Sequence, residues 1–196
     1  SCGDIAVSVY SGWLAYSTFD HDWVKQQIET TSVNTVLEKN WPGLHIEPLQ
    51  APENMEVLIG WTGSPASSPH LVSEVKRLKS DPAFYGEFLD HSHQCVEYLI
   101  HAFKTNNIKG VQKMIRQNRA IIRKMDDQAS VDIETDKLKS LCDIAEKHGG
   151  AAKTSGAGGG DCGITIIHQN VNKQKIYDEW VKNDIKPLQF KIYHGQ

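Results

Sequence analysis

Residues 153–163 read KTSGAGGGDCG, with Gly156, Gly158, Gly159, Gly160 and Gly163 gathered around Ala157, Asp161 and Cys162. Glycine loses more backbone freedom on folding than any other residue, so a cluster of it needs a physical reason. A flexible linker is one reason, but such linkers are Gly/Ser repeats flanked by polar sequence. This cluster runs directly into the apolar GITIIH, residues 163–168, so it lies inside a fold. The chemistry that suits it is anion binding, in which successive main-chain N–H groups approach a ligand where a Cβ would stand in the way. Neither common nucleotide motif fits. Gly158-x-Gly160-x-x-Gly163 satisfies the dinucleotide fingerprint by spacing, but that fingerprint follows a strand and opens a helix. Lys153 precedes the glycines, and no Gly-Lys-Ser/Thr follows them, so a Walker A loop is excluded too.

Three other groups have residue types that could do chemistry. SPASSPH, residues 64–70, is a turn-rich link in which Ser67 and Ser68 could offer hydroxyls and helix N-terminal N–H groups to an anion, or could simply form a loop. His91, Ser92, His93 and Cys95 resemble a metal cluster, but His91 and Cys95 share a helical face and His93 points elsewhere, so no metal site is expected. Arg116, Arg119 and Arg123 fall together opposite the apolar stripe Ile108, Val111, Met114, Ile115, Ile121, Ile122 and Met125. That arrangement predicts a solvated basic face, with contact from one arginine to a phosphate as the alternative.

The elements that must position these groups follow from periodicity. Residues 3–10 predict a helix with Ser1 as its capping candidate, residues 13–19 a strand, and Asp20 or Asp22 a cap for the next helix. A short helix is expected over 31–39. Residues 43–49 alternate and residues 55–63 are more continuously apolar, which predicts an antiparallel pair with the second strand more buried. Long helices are expected over 84–104 and through 108–125, and a third over 135–148 that Gly149 and Gly150 end. A strand near 151–154, the glycine loop, a strand over 162–168, a helix near 173–183 and a strand over 185–193 complete the chain. The sum is an α+β fold, a two-layer sandwich of antiparallel sheet and helices.

Composition narrows the function. The 196 residues have a formal net charge of −3, which gives the chain as a whole no electrostatic reason to bind nucleic acid, so any anion site must be local. The four cysteines show no CxxC spacing, which points away from zinc and secreted disulfide scaffolds and towards a reduced, cytoplasmic setting. No apolar run approaches membrane-spanning length, so no membrane partner is expected. The opening SCGDIAVSVYSGWLAY has no initiator Met and begins in an already patterned segment, which predicts an upstream part of the same polypeptide.

KTSGAGGGDCGI resembles the third conserved motif of the GHMP kinases, the family of galactokinase, homoserine kinase, mevalonate kinase and phosphomevalonate kinase, and its Gly-Ala-Gly-Gly-Gly-Asp core is a specific match. The flanking Lys-Thr-Ser and Cys-Gly are most like the bacterial phosphomevalonate kinases within that family. GWTGSPASSPHLV, residues 60–72, and the opening SCGDIA are similar to the same enzymes. The resemblance implies that residues 51–196 form a ferredoxin-like GHMP kinase C-terminal domain and residues 1–50 the tail end of the N-terminal domain. The implied activity is transfer of the γ-phosphoryl of ATP, with Mg2+, to mevalonate 5-phosphate, giving mevalonate 5-diphosphate in the mevalonate pathway of isoprenoid biosynthesis. It also implies that Asp4 is the active-site aspartate. A phosphate monoester has a second pKa of about 6, so Asp4 is expected to orient the acceptor or a magnesium-bound water, with base catalysis second.

Ser155, Gly156, Ala157, Gly158, Gly159 and Gly160 are implied to hold the substrate phosphate through their N–H groups, with Ala157 and Gly158 nearest. Ser155 adds a hydroxyl, Ser67 and Ser68 are further candidate contacts, and Asp161 is expected to brace the loop. The family's ATP-phosphate loop of the form G-L-G-S-S-G and its N-terminal lysine are not in these residues. The missing N-terminal half is therefore an expected partner, and these residues alone are expected to be inactive. The alternatives are mevalonate kinase, which should show Asn where this chain has Ile5, diphosphomevalonate decarboxylase, and a non-catalytic anion-binding module of the same fold.

Overall fold

Apolar periodicity and caps set the elements, and the chain distributes them over two units. The computed structural model describes residues 2–66, 71, 77–129 and 131–193. One unit comprises Ser1–Ala51 with Lys191–Gln196, the other Pro52–Phe190. In the first unit, α1 (Gly3–Tyr10), β1 (Trp13–Ser17), α2 (His21–Thr30), α3 (Val33–Leu37) and β2 (His45–Leu49) follow one another. β1 and β2 pair antiparallel, with Trp13 opposite Leu49 and Ser17 opposite His45. The Asp20 carboxylate caps α2 by accepting the N–H groups of Asp22 and Trp23 at 3.0 Å each. The N-cap position of α1 is Cys2, left-handed and without a side-chain cap, and Ser1 lies outside the described residues. Gly12 N–H donates to the Tyr193 carbonyl at 2.8 Å, which ties the end of the chain into this unit.

The second unit contains β3 (Met55–Trp61), α4 (Pro82–Lys104), α5 (Ile108–Ala129), α6 (Asp136–Lys147), β4 (Ala151–Thr154), β5 (Cys162–His168), α7 (Lys173–Lys182) and β6 (Lys186–Leu188), with a 3-10 turn at Arg77–Ser80. Its sheet has the order β4-β5-β3-β6, antiparallel throughout. The architecture is α+β, as the periodicity predicts.

The expected pairing of residues 43–49 with 55–63 does not occur. β2 takes β1 as its neighbour, and β3 lies between β5 and β6. Side-chain pattern reports which faces of a strand are covered, not which strands pair along its edges. Adjacency in sequence decided neither pairing. The last strand is also shorter than the 185–193 expected, and Lys191 onward joins the first unit.

α6 and α7 close the second unit's main core. Leu58 from β3, Leu141 and Ala145 from α6, Ala152 from β4, Ile167 from β5, and Ile176 and Trp180 from α7 pack together there. Gly60 and Gly163 face each other in register, and a Cβ on either would stand 2.7 or 2.6 Å from a Leu141 methyl. That glycine pair brings α6 down onto the sheet. The Trp180 indole N–H donates to the Leu141 carbonyl at 3.0 Å, fixing α7 against α6. The β4–β5 hairpin, and the glycine loop at its end, are held by this packing.

Candidate functional site

The loop begins where β4 ends. Ser155 N–H donates to the Cys162 carbonyl at 2.9 Å, closing the hairpin, and the Thr154 hydroxyl donates to the Gly156 carbonyl at 3.0 Å. From Gly158 the backbone turns left-handed for four residues, with φ of 83, 74, 125 and 58° at Gly158, Gly159, Gly160 and Asp161. Side chains rarely adopt that path, which accounts for three consecutive glycines.

Anchors from two other segments hold the turn. Gly159 N–H donates to the Ile133 carbonyl at 2.8 Å, and Asp161 N–H donates to the Ser64 carbonyl at 2.7 Å. The Asp161 carbonyl accepts both the N–H and the hydroxyl of the buried Thr62, at 2.8 and 2.9 Å. The bracing expected of Asp161 comes from its main chain, while its carboxylate accepts a long contact from the Cys162 thiol at 3.6 Å.

These anchors sort the expected phosphate-binding residues. The N–H groups of Ser155 and Gly159 are committed to carbonyls. Those of Gly156, Ala157, Gly158 and Gly160 meet no acceptor among the described residues. Ser155, Gly156 and Ala157 are exposed, whereas Gly158 and Gly160 are buried. A Cβ at Gly158 would lie 2.4 Å from the Ile133 carbonyl oxygen, one at Gly159 2.7 Å from Leu71, and one at Gly160 3.0 Å from the Ser64 carbonyl oxygen. At Gly156 nothing lies within 4 Å. Three glycines thus let protein approach protein, and one faces open space. The structure brings Ser155 to Gly160 together in the second unit. Asp4 is exposed in the first turn of α1, in the first unit. Ser67 and Ser68 lie outside the described residues.

The arginine stripe of α5 is exposed at Arg116 and Arg123, as expected of a solvated face, and departs from that expectation at Arg119. Arg119 is 5% exposed and binds Glu134 through Nε, at 2.9 and 3.2 Å to the two carboxylate oxygens, and through Nη2. Nη2 also reaches Asp143 at 2.7 Å, and Nη1 reaches Glu146 at 3.1 Å. Burial works to lower the Arg119 pKa, and the Glu134 and Asp143 carboxylates outweigh it, holding the guanidinium firmly charged. Arg116 donates to the Gly150 carbonyl at 2.7 Å, and one turn earlier Gln112 donates to the carbonyls of Gly149 and Ile166. Arg123 is exposed, with Nε 3.8 Å from Glu134. The row holds the base of the β4–β5 hairpin and the turn between α5 and α6. Its members have partners far along the chain, so helical spacing gave no sign of them.

The remaining candidates are structural. His91 lies 3.7 Å from the Glu87 carboxylate, and the buried Cys95 thiol, raised in pKa by desolvation, donates to the Met114 carbonyl. Among the described residues no three His, Cys, Asp or Glu side chains converge to hold a metal. No described helix is long and apolar enough to cross a membrane. Sequence reasoning missed Thr62, Ser64, Ile133 and Leu71 as the loop's supports, and only the Thr-Gly-Ser turn after β3 carried a local signal.

Comparison with known proteins meets this geometry at its centre. Residues 99–186, which include α5, the hairpin and the glycine loop, match the family described as GHMP kinases C terminal. Over those residues the chain is similar to a GHMP kinase C-terminal domain. A phosphomevalonate kinase of Streptomyces sp. (strain CL190) is 35% identical over 191 residues, covering 96% of this chain and 51% of the relative. A Listeria innocua protein of known structure is 40% identical with a TM-score of 0.91, over 97% of this chain and 54% of that one. Streptococcus pneumoniae phosphomevalonate kinase, solved in complex with phosphomevalonate and AMPPNP, is 26% identical with a TM-score of 0.85, over 98% of this chain and 56% of that one. The chain therefore spans about half the length of each relative it matches. In the second unit, the glycine loop is the hairpin turn between the two strands at one edge of the sheet.

Proposed function

We propose that this chain supplies the acceptor-phosphate site of a phosphomevalonate kinase, which transfers the γ-phosphoryl of ATP to mevalonate 5-phosphate. The observation that carries the reading is the row of N–H groups at Gly156, Ala157 and Gly158, without acceptors among the described residues, beside the exposed Ser155 hydroxyl. Such a row suits the oxygens of a phosphate monoester and needs no metal to do so. The named activities of the Streptomyces and pneumococcal relatives support the choice of substrate.

In this reading Ser155 to Gly160 hold the phosphate of mevalonate 5-phosphate, and Ser67 and Ser68 remain candidate contacts. The acceptor oxygen is largely deprotonated at neutral pH, so Asp4 is assigned to orienting the acceptor or a magnesium-bound water, with base catalysis second. ATP supplies the transferred phosphoryl group. Magnesium would accompany ATP, and since no three His, Cys, Asp or Glu side chains converge among the described residues, it would be held by fewer protein ligands together with the ATP phosphates. Residues 1–50 are assigned to the tail of the N-terminal kinase domain and 51–196 to the C-terminal domain; the division after Ala51 supports that boundary, while Lys191–Gln196 group with the first unit. A cytoplasmic location accords with four free cysteines.

Isothermal calorimetry of the 196-residue chain with mevalonate 5-phosphate, and with mevalonate as control, tests the reading. Binding that requires the phosphate and is weakened in Gly156→Val supports it. Equal binding of both ligands, or of neither, counts against it.

A further inference from the structure

The left-handed part of the loop is held by a residue that never touches it. Gly159 N–H rests on the Ile133 carbonyl at 2.8 Å, and Ile133 lies in the turn between α5 and α6. The C=O of Ile133 and the N–H of Glu134 belong to one planar peptide unit and point in opposite directions. That N–H donates to Asp126 Oδ2 at 2.7 Å, and the N–H of Ile133 itself donates to Asp126 Oδ1 at 2.6 Å. Both carboxylate oxygens of Asp126 are thus used on consecutive peptides, and together they fix the plane that aims the Ile133 carbonyl at the loop. A charged acceptor also polarises the peptide, which strengthens the bond made by its carbonyl. From the other side the Glu134 side chain, 3% exposed, is gripped by Arg119.

We propose that Asp126 is a positioning residue for the phosphate site, acting through the Ile133–Glu134 peptide to set the left-handed turn at Gly158 to Gly160. The proposal rests on the acceptor-phosphate reading for its function and on geometry alone for its mechanism. Asp126 holds the peptide; the peptide holds Gly159; Gly159 sets the direction in which the Gly158 and Ala157 N–H groups point. Arg119 and Glu134 act as the second hold on the same peptide.

Asp126→Asn keeps the shape of the side chain but sets an amide N–H2 against a main-chain N–H, so one of the two peptides loses its acceptor. In amide-proton NMR spectra of the whole chain, the Gly159 signal is expected to move upfield as its hydrogen bond lengthens, while signals of β3 and β5 stay in place. The dissociation constant for mevalonate 5-phosphate is expected to rise about tenfold, the usual scale for a charge-assisted hydrogen bond. Glu134→Gln should move the same signal in the same direction by less, and it carries the test if Asp126→Asn loses its fold. A Gly159 signal unmoved in both variants overturns the proposal, as does a shifted signal with unchanged affinity. If the unaltered chain binds no mevalonate 5-phosphate, the acceptor-phosphate reading fails, and the Gly159 signal then decides by itself whether Asp126 sets the turn.

Discussion

Ser155, Gly156 and Ala157 are exposed, and two of their three N–H groups have no acceptor among the described residues, whereas Gly158 to Asp161 turn left-handed against Ile133, Leu71 and Ser64. Five residues separate the first half's start from the second half's end, yet glycine does different work in each. In the second half it removes a Cβ that would collide with protein, and in the first half, at Gly156, it leaves the backbone facing space in which nothing lies within 4 Å. This glycine-rich loop is therefore partly a fold element. Counting its glycines overstates how many of them face open space.

Four changes would break or sharpen that contrast. The largest effect is expected from Arg119→Ala, which leaves Glu134 buried without its cation and should lower stability by about 3–5 kcal/mol in denaturant unfolding. The same variant should alter the acid limb. Burial works to raise the Asp143 pKa, but Lys139 and Arg119 override it and hold the carboxyl below its usual value. A lowered folded-state pKa contributes stability above the ordinary carboxylate range that is lost as pH falls through the lowered value, and without Arg119 that loss should shrink. Next comes Gly158→Ala, whose methyl would meet the Ile133 carbonyl oxygen at 2.4 Å in a left-handed backbone. A loss of about 3 kcal/mol is expected, read by thermal or denaturant unfolding.

Gly156→Val should do the opposite, changing stability by less than about 1 kcal/mol, because its Cβ points into open space, while reducing calorimetric affinity for mevalonate 5-phosphate. If Gly156→Val unfolds the chain while Gly158→Ala does not, the division between the halves is wrong. The smallest effect is expected from Ser155→Ala, which in the proposed function removes one hydroxyl from the phosphate and should weaken binding by about 1 kcal/mol with no change in melting.

Much of this was open to view in the sequence. α4, α5, α6, β4 and β5 fall within a few residues of the periodicity-based expectation, because each has an apolar repeat bounded by a cap or glycines. The loop itself was visible as a glycine cluster joined to a β-branched run. Strand partners were not visible, since β2 and β3 are adjacent in sequence but belong to separate units. Arg119 was read as solvated because helical spacing shows only which residues share a face. Its partners Glu134 and Asp143 lie 15 and 24 residues away, and only tertiary packing brings them there. Asp126 was passed over for the same reason: an acidic residue near a helix end has an ordinary surface explanation until the chain folds back onto it.

The most direct measurement is a titration of the 15N-labelled chain with mevalonate 5-phosphate, following the amide signals of residues 155–160. The account predicts large, saturable shifts at Gly156, Ala157 and Gly158, with smaller ones at Ser155 and Gly159, whose N–H groups already have protein acceptors. Shifts confined to residues outside the loop, or shifts that mevalonate reproduces equally well, would contradict it.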